Sequence, residues 1–267
     1  MVKLYLFFLV SIFFSCQSYS VNRNENSDKK LENIIDYIDN EKYSKAKIEI
    51  EYLLLLDPLS NYAGDAQFYL SNCYFYLGDY VQAIAEYNKY LSRQDAKLGF
   101  VKESKYMLSK CYFNMSLDFN KDQTGTIIAI EKLQDFIEQS IMIDYIDEIE
   151  IMILDLRNKL AKKDFYTANL YVKLGEVDSA NIYYVSIIDN YYDTDYVNHA
   201  IFNMAILYFV NVEDNLDLPQ NNQKTAIEFL NKHKSNFLTI NDYESTLSFI
   251  ADMNLDEEYD YYINLLK

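Results

Sequence analysis

Residues 65–91, DAQFYLSNCYFYLGDYVQAIAEYNKYL, decide how the rest of the chain is read. Leu70, Ser71, Tyr74, Leu77, Tyr80, Ala83 and Tyr87 recur at helical intervals on either side of Gly78-Asp79. The stretch therefore reads as two short amphipathic helices joined by a tight turn. Small residues stand where the two helices would cross, and large ones fill the space between. A second copy lies in register about a hundred residues on, with Ala168, Tyr171, Leu174, Gly175, Val177, Ala180 and Tyr184 at the matching places. Repetition of one hairpin implies an array in which each unit buries its apolar face on the next.

This order of small and large residues resembles a tetratricopeptide (TPR) unit, and the expected fold is an all-α, TPR-like α-solenoid of about five helical hairpins with a C-terminal capping helix. The first hairpin is Leu31 to Leu56, turning near Asn40-Glu41 and closed by Pro58; the second is the stretch quoted above. The third pairs Ser104 to Ser116 with Ile127 to Ile137 across an insertion, Leu117 to Gly125, which is a candidate contact loop. The fourth, Ala161 to Ile188, follows a helical run through Ile149, Met152, Leu156 and Leu160. The fifth sets Ala200, Met204, Ala205 and Tyr208 against Ala226, Leu230 and Lys232, across a polar loop from Val212 to Asn222 that contains Pro219. The crossing alanines, Ala46, Ala83, Ala129, Ala180 and Ala226, are 37, 46, 51 and 46 residues apart, so the connections are longer than a plain repeat needs. Asp242 to Leu266 is the expected cap. With five Gly, two Pro and 27 Tyr, the composition agrees with an all-α chain.

The N-terminus points to export. Leu4 to Phe14 is an apolar run behind Lys3, too short to span a bilayer and suited to a signal-peptide core. Residues 1–15 are read as this signal. Ser15-Cys16 at its end resembles a bacterial lipobox, in which Cys16 becomes the acylated first residue; the alternative is an ordinary secretory signal with an incidental cysteine. Residues 16–30, rich in Ser, Asn and charge, form a tether, residues 31–240 the repeat domain and residues 241–267 the cap. Cys73 and Cys111 precede Tyr74 and Tyr112 at equivalent places, where a small buried thiol packs well, and a disulfide is the other reading in an oxidising compartment.

A net charge of -17 gives no surplus of Lys and Arg to displace counterions from phosphates, which argues against nucleic acid and against a basic grip on anionic lipid. The only histidines, His199 and His233, are far apart and make no metal spacing; no Gly-rich phosphate loop or nucleophile elbow is present. The acidic groups Asp144 to Glu150 and Asp252 to Asp260 lack the pattern of a calcium loop. A non-enzyme without cofactor or metal is expected. Ten residues before Gly78 and Gly175 stand Phe68 and Phe165, with Tyr106 and Phe202 at the equivalent places of the third and fifth hairpins. Asn72 and Asn169 lie one turn further along, and Lys110 is the sole basic residue of this column, which disfavours a carboxylate clamp. An aromatic ladder flanked by amides can hold a peptide by stacking and backbone hydrogen bonds; the other reading is that the rings pack an inner wall.

An N-terminal lipobox, a polar tether and five hairpins with long connections resemble the BamD family of lipoproteins in the outer-membrane β-barrel assembly machine. The local likeness rests on Leu160-Ala161-Lys162, Phe165, Ala168, Tyr171, Leu174-Gly175, Ala180 and Tyr191-Tyr192-Asp193-Thr194, where Tyr192 replaces the family's usual proline. The resemblance implies an outer-membrane, lipid-anchored, periplasm-facing scaffold that binds the barrel subunit of the machine and unfolded outer-membrane proteins. It further implies that the C-terminal hairpins, about 198–237, dock the barrel subunit and the N-terminal hairpins, about 31–91, meet substrates. The alternatives are a TPR lipoprotein adaptor in another cell-envelope complex, or a solute- or glycan-binding lipoprotein.

Overall fold

The structure, a computed structural model, describes residues 29–138, 143–210 and 222–253, with residues 264 and 266. The signal segment, Cys16, most of the tether, the Pro219 loop and the end of the cap lie outside the described residues. Within them every regular element is helical. The α-helices are α1 (residues 29–39), α2 (Tyr43–Leu56), α3 (Ala63–Tyr76), α4 (Tyr80–Leu91), α5 (Leu98–Met115) and α6 (Thr124–Glu138), followed by a 3₁₀ turn at Ile143–Tyr145. Then come α7 (Ile146–Leu174), α8 (Val177–Asn190), α9 (Tyr196–Val210), α10 (Asn222–Lys232) and α11 (Ile240–Asp252). The all-α, TPR-like class is the observed one, with consecutive helices packed as neighbouring pairs.

Three hairpin turns share one geometry. After α3, Gly78 N–H donates to the Phe75 carbonyl and Asp79 N–H to that of Tyr74; after α7, Gly175 and Glu176 donate in the same way to Val172 and Tyr171. Both glycines have φ 78°, the left-handed conformation that lets the chain leave a helix and satisfy its last carbonyls. After α1 the same two bonds are made by Glu41 and Lys42, and Glu41 takes φ 57° at the place held elsewhere by glycine. Asp79 then caps α4 by accepting from Gln82 N–H.

The chain divides into two compact units, Met1–Met115 with Asp135–Ile146 and Ser116–Gln134 with Asp147–Lys267. In the first, α2 packs on α3, α3 on α4 and α4 on α5. One core gathers Ile34, Ala46, Ile50, Leu53, Ala66, Leu70 and Cys73; the other gathers Phe68, Phe75, Ala83, Tyr87, Tyr90, Met107, Leu108 and Cys111. In the second unit α9 is largely apolar, with ten of its fifteen residues buried, and packs against α8, α10 and α11. The five crossing alanines are all fully buried, which lets the helix axes approach closely. Cys73 and Cys111 are free, buried thiols.

Several boundaries differ from the sequence expectation: α6 begins at Thr124, inside the stretch expected as the insertion. Helix α5 starts at Leu98, six residues before Ser104. The run from Ile149 and the first helix of the fourth hairpin are one helix of 29 residues, because Leu156, Leu160, Ala161, Ala168 and Val172 keep a single buried stripe and no Gly or Pro interrupts it.

Candidate peptide-binding surface

The residues singled out in the sequence fall into the two units and are described unit by unit. In the first, Phe68 is 2% exposed, stacked on Phe100 with ring centres 4.2 Å apart, and packed at 5.7 Å from Tyr90. Burying a ring of this size contributes roughly 2–3 kcal/mol, so Phe68 is a strong packing anchor. Asn72 is also buried, and its Oδ1 accepts from the Tyr87 hydroxyl at 2.5 Å. Tyr106 is half-buried and stacks on Tyr145 at 4.3 Å. Lys110 holds its ammonium 5.4 Å from the Tyr106 ring and 5.5 Å from that of Phe75. This pairing leaves a cation and an aromatic edge partly open to solvent.

In the second unit Phe165 is half-buried among Tyr184, Tyr196 and His199, at 6.1, 5.6 and 5.9 Å. Asn169 Oδ1 accepts from the Tyr184 hydroxyl at 2.6 Å, and Asn203 Nδ2 donates to the Tyr184 oxygen at 3.0 Å. Phe202 is half-buried and leans on Phe249 at 5.3 Å. Burial pushes the Tyr184 phenol up to about 12 and raises that of Tyr87 further. Both hydroxyls therefore stay neutral and act as hydrogen-bond donors.

The asparagine–tyrosine pairs are equivalent. In each copy the asparagine of the first helix meets a tyrosine fifteen residues later on the second helix. The carbonyl oxygen of each side chain is thus spent inside the hairpin, and what each amide can offer a ligand is its Nδ2 donor. Sequence reasoning placed Tyr87 and Tyr184 in the repeat pattern but missed this bond. The signal was present as the identical Asn-to-Tyr spacing in both copies.

Sequence reasoning also missed the partner of the Tyr191-Tyr192-Asp193-Thr194 group. Arg157 on α7 grips the Asp193 carboxylate with both Nε and Nη2 and donates from Nη2 to the Asn190 carbonyl. Its guanidinium also lies 5.7 and 5.8 Å from the rings of Tyr191 and Tyr192. Thr194 is buried and donates to the Tyr191 carbonyl, fixing the turn that aims Asp193. Tyr192 provides a surface for the arginine.

The insertion expected as a contact loop is tied down within the second unit. Gln123 Nε2 donates to the Asp118 and Lys121 carbonyls, and Lys163 Nζ to the Lys121 carbonyl. Lys162 stands 4.4 Å over the Phe119 ring. Among the described residues no three His, Cys, Asp or Glu side chains converge as a metal cluster, and no helix is long and apolar enough to cross a membrane.

Comparison with known proteins supports the likeness drawn from the motifs. Over 138 residues the chain is 25% identical to the outer membrane protein assembly factor BamD of Caulobacter vibrioides. The match covers 50% of this chain and 44% of that protein, so the chain spans less than half the length of this curated relative. A family model described as YfiO, outer membrane lipoprotein, matches residues 26–239, which takes in α1 to α10 and all three turns of shared geometry. With the match running through every hairpin, the chain belongs to the YfiO family of outer membrane lipoproteins.

Proposed function

We propose that the protein is a lipid-anchored, periplasm-facing scaffold that takes part in assembling β-barrel proteins into the outer membrane through protein–protein binding. The observation that carries this is the family match across residues 26–239, joined by the likeness to a protein named as an outer membrane assembly factor. Its parts are a signal at residues 1–15, acylation at Cys16, a tether to residue 30, a repeat domain to residue 240 and a C-terminal cap. Its partners are the barrel subunit of the assembly machine, held by the C-terminal hairpins near residues 198–237, and unfolded outer-membrane proteins, met by the N-terminal hairpins near residues 31–91. Peptide contacts are assigned unit by unit: in the first to the partly exposed Tyr106 and Lys110 with the buried Phe68 and Asn72, and in the second to the partly exposed Phe165, Asn169 and Phe202. The role is non-enzymatic.

The test is recovery of partners from native membranes with the intact protein beside a Cys16→Ala variant, bound proteins being identified by mass spectrometry. An outer-membrane barrel assembly protein should be recovered, and the variant should shift to the soluble fraction. Recovery of other envelope proteins without the barrel subunit would replace this role with that of an adaptor in another complex. Retention of the barrel subunit by a chain truncated near Asn211 would remove the docking assignment.

A further inference from the structure

The outer face of α2 is apolar. Ile48, Tyr52 and Leu55 follow one another at the i, i+4, i+7 spacing that shares one helix face, and they are 61%, 51% and 78% exposed. Leu56 at the helix end is 44% exposed, and Leu59 in the following turn 92%. The opposite face of the same helix, Ala46, Ile50 and Leu53, is fully engaged in the core, so the exposed stripe is surplus to what the fold needs. A contiguous apolar stripe on a monomer marks a binding surface.

Its position says what covers it. Lys30, at the start of α1, lies with its ammonium 5.2 Å from the Tyr52 ring. The chain arriving from Cys16 therefore joins the folded domain at the end of the hairpin that carries Leu55 and Leu59, the two most exposed residues of the stripe. Only residues Gln17 to Asp28 separate Cys16 from α1. Fully extended they reach about 40 Å, and as a flexible coil about 20 Å. The surroundings are close to neutral despite the overall charge: Lys29, Lys30, Lys42, Lys45 and Lys47 stand among Glu49, Glu51 and a few other carboxylates of α1 and α2. A tyrosine beside a lysine at the edge of a leucine-rich stripe is the side-chain set that suits the headgroup boundary.

We infer that the α2 stripe rests on the lipid surface to which Cys16 is anchored, so that the first hairpin lies against the membrane and fixes the orientation of its unit. This rests on the lipid-anchor reading above. Acyl chains alone would leave the domain free to tumble on its tether. Insertion of Leu55 and Leu59 to the depth of the acyl boundary replaces that freedom with one defined face. The contact is apolar rather than electrostatic, and depends little on salt.

The full-length acylated protein in vesicles of phosphatidylethanolamine and phosphatidylglycerol provides the test. An environment-sensitive fluorophore is placed at Leu55→Cys, or at the exposed Lys89→Cys on α4 as the control; the native Cys73 and Cys111 are fully buried and take no label. Lipids carrying a quencher near the headgroup end of the acyl chain should quench position 55 about twofold or more over position 89, with little change in high salt. Equal quenching at both positions, with the protein still on the vesicles, would overturn the inference and leave the anchor standing. Absence of the protein from the vesicles would overturn both. Protection of position 55 only when the barrel subunit is added would assign the stripe to a protein and overturn the lipid contact.

Discussion

Removing the Tyr184 hydroxyl should cost more than its size suggests. Tyr184 is fully buried, donates to Asn169 Oδ1 at 2.6 Å and accepts from Asn203 Nδ2 at 3.0 Å. Tyr184→Phe keeps the ring and its packing but breaks two hydrogen bonds, each worth about 1 kcal/mol net. Asn203 is itself buried and can turn only to Asn169 Oδ1, already at 3.3 Å, so its amide regains little. The expected loss is about 2 kcal/mol. Tyr87→Phe breaks the bond that its hydroxyl donates to Asn72, and should cost about 1 kcal/mol. Urea titration by far-UV circular dichroism gives the change in midpoint at constant slope. Hydrogen exchange at the amides of α8 and α9 then reads the loss within the unit that holds Tyr184, where two-unit unfolding would blur a global value. A loss below about 0.5 kcal/mol, or one no larger than that of Tyr87→Phe, would refute the reasoning that the second bond matters.

Glu41→Gly should stabilise the first hairpin by about 0.5–1 kcal/mol, because it relieves a side chain at φ 57°; conversely Gly78→Ala and Gly175→Ala should each cost about 1 kcal/mol through backbone strain alone, since an added Cβ meets nothing within 4 Å. Thermal melts of the three variants check the signs. Arg157→Ala should cost about 1–2 kcal/mol, and Arg157→Lys should restore less than half of it, because an ammonium cannot fork onto Asp193, reach the Asn190 carbonyl and lie over two tyrosines together. Burial pushes the Cys73 and Cys111 thiols from 9.0 up to about 12, and Tyr184 from 10.0 to about 12. These groups hold their protons more tightly when folded, so the stability they contribute is complete below pH 9 and is lost as pH rises towards 12. Denaturant midpoints should fall across that window, and both thiols should resist a thiol reagent until the chain unfolds.

Gly78 and Gly175 announced two turns, and five alanines marked the crossings, because both follow from local rules: only glycine takes positive φ freely, and a crossing point admits only a small side chain. The turn at Glu41 was found from the apolar periodicity around it, although its backbone conformation could not be read from a glutamate. The join of the Ile149 run to the fourth hairpin was hidden for the opposite reason. A repeat template asks for a break, and only the continuity of the buried stripe shows that α7 has none.

The sequence by itself determined that the chain is helical, where its hairpins turn, which family it belongs to and which aromatic residues stand at equivalent places. Those properties depend on neighbours within one or two turns of the same chain. The tertiary structure alone decided that Phe68 is sealed under Phe100 while Phe165 and Phe202 stay partly open, that Asn72 and Asn169 spend their carbonyl oxygens on tyrosines, and that one face of α2 is left bare. Helical spacing sets the direction in which a side chain points. Whether it meets a ring, a hydroxyl or solvent depends on residues far along the chain, supplied by the next helix to pack against it.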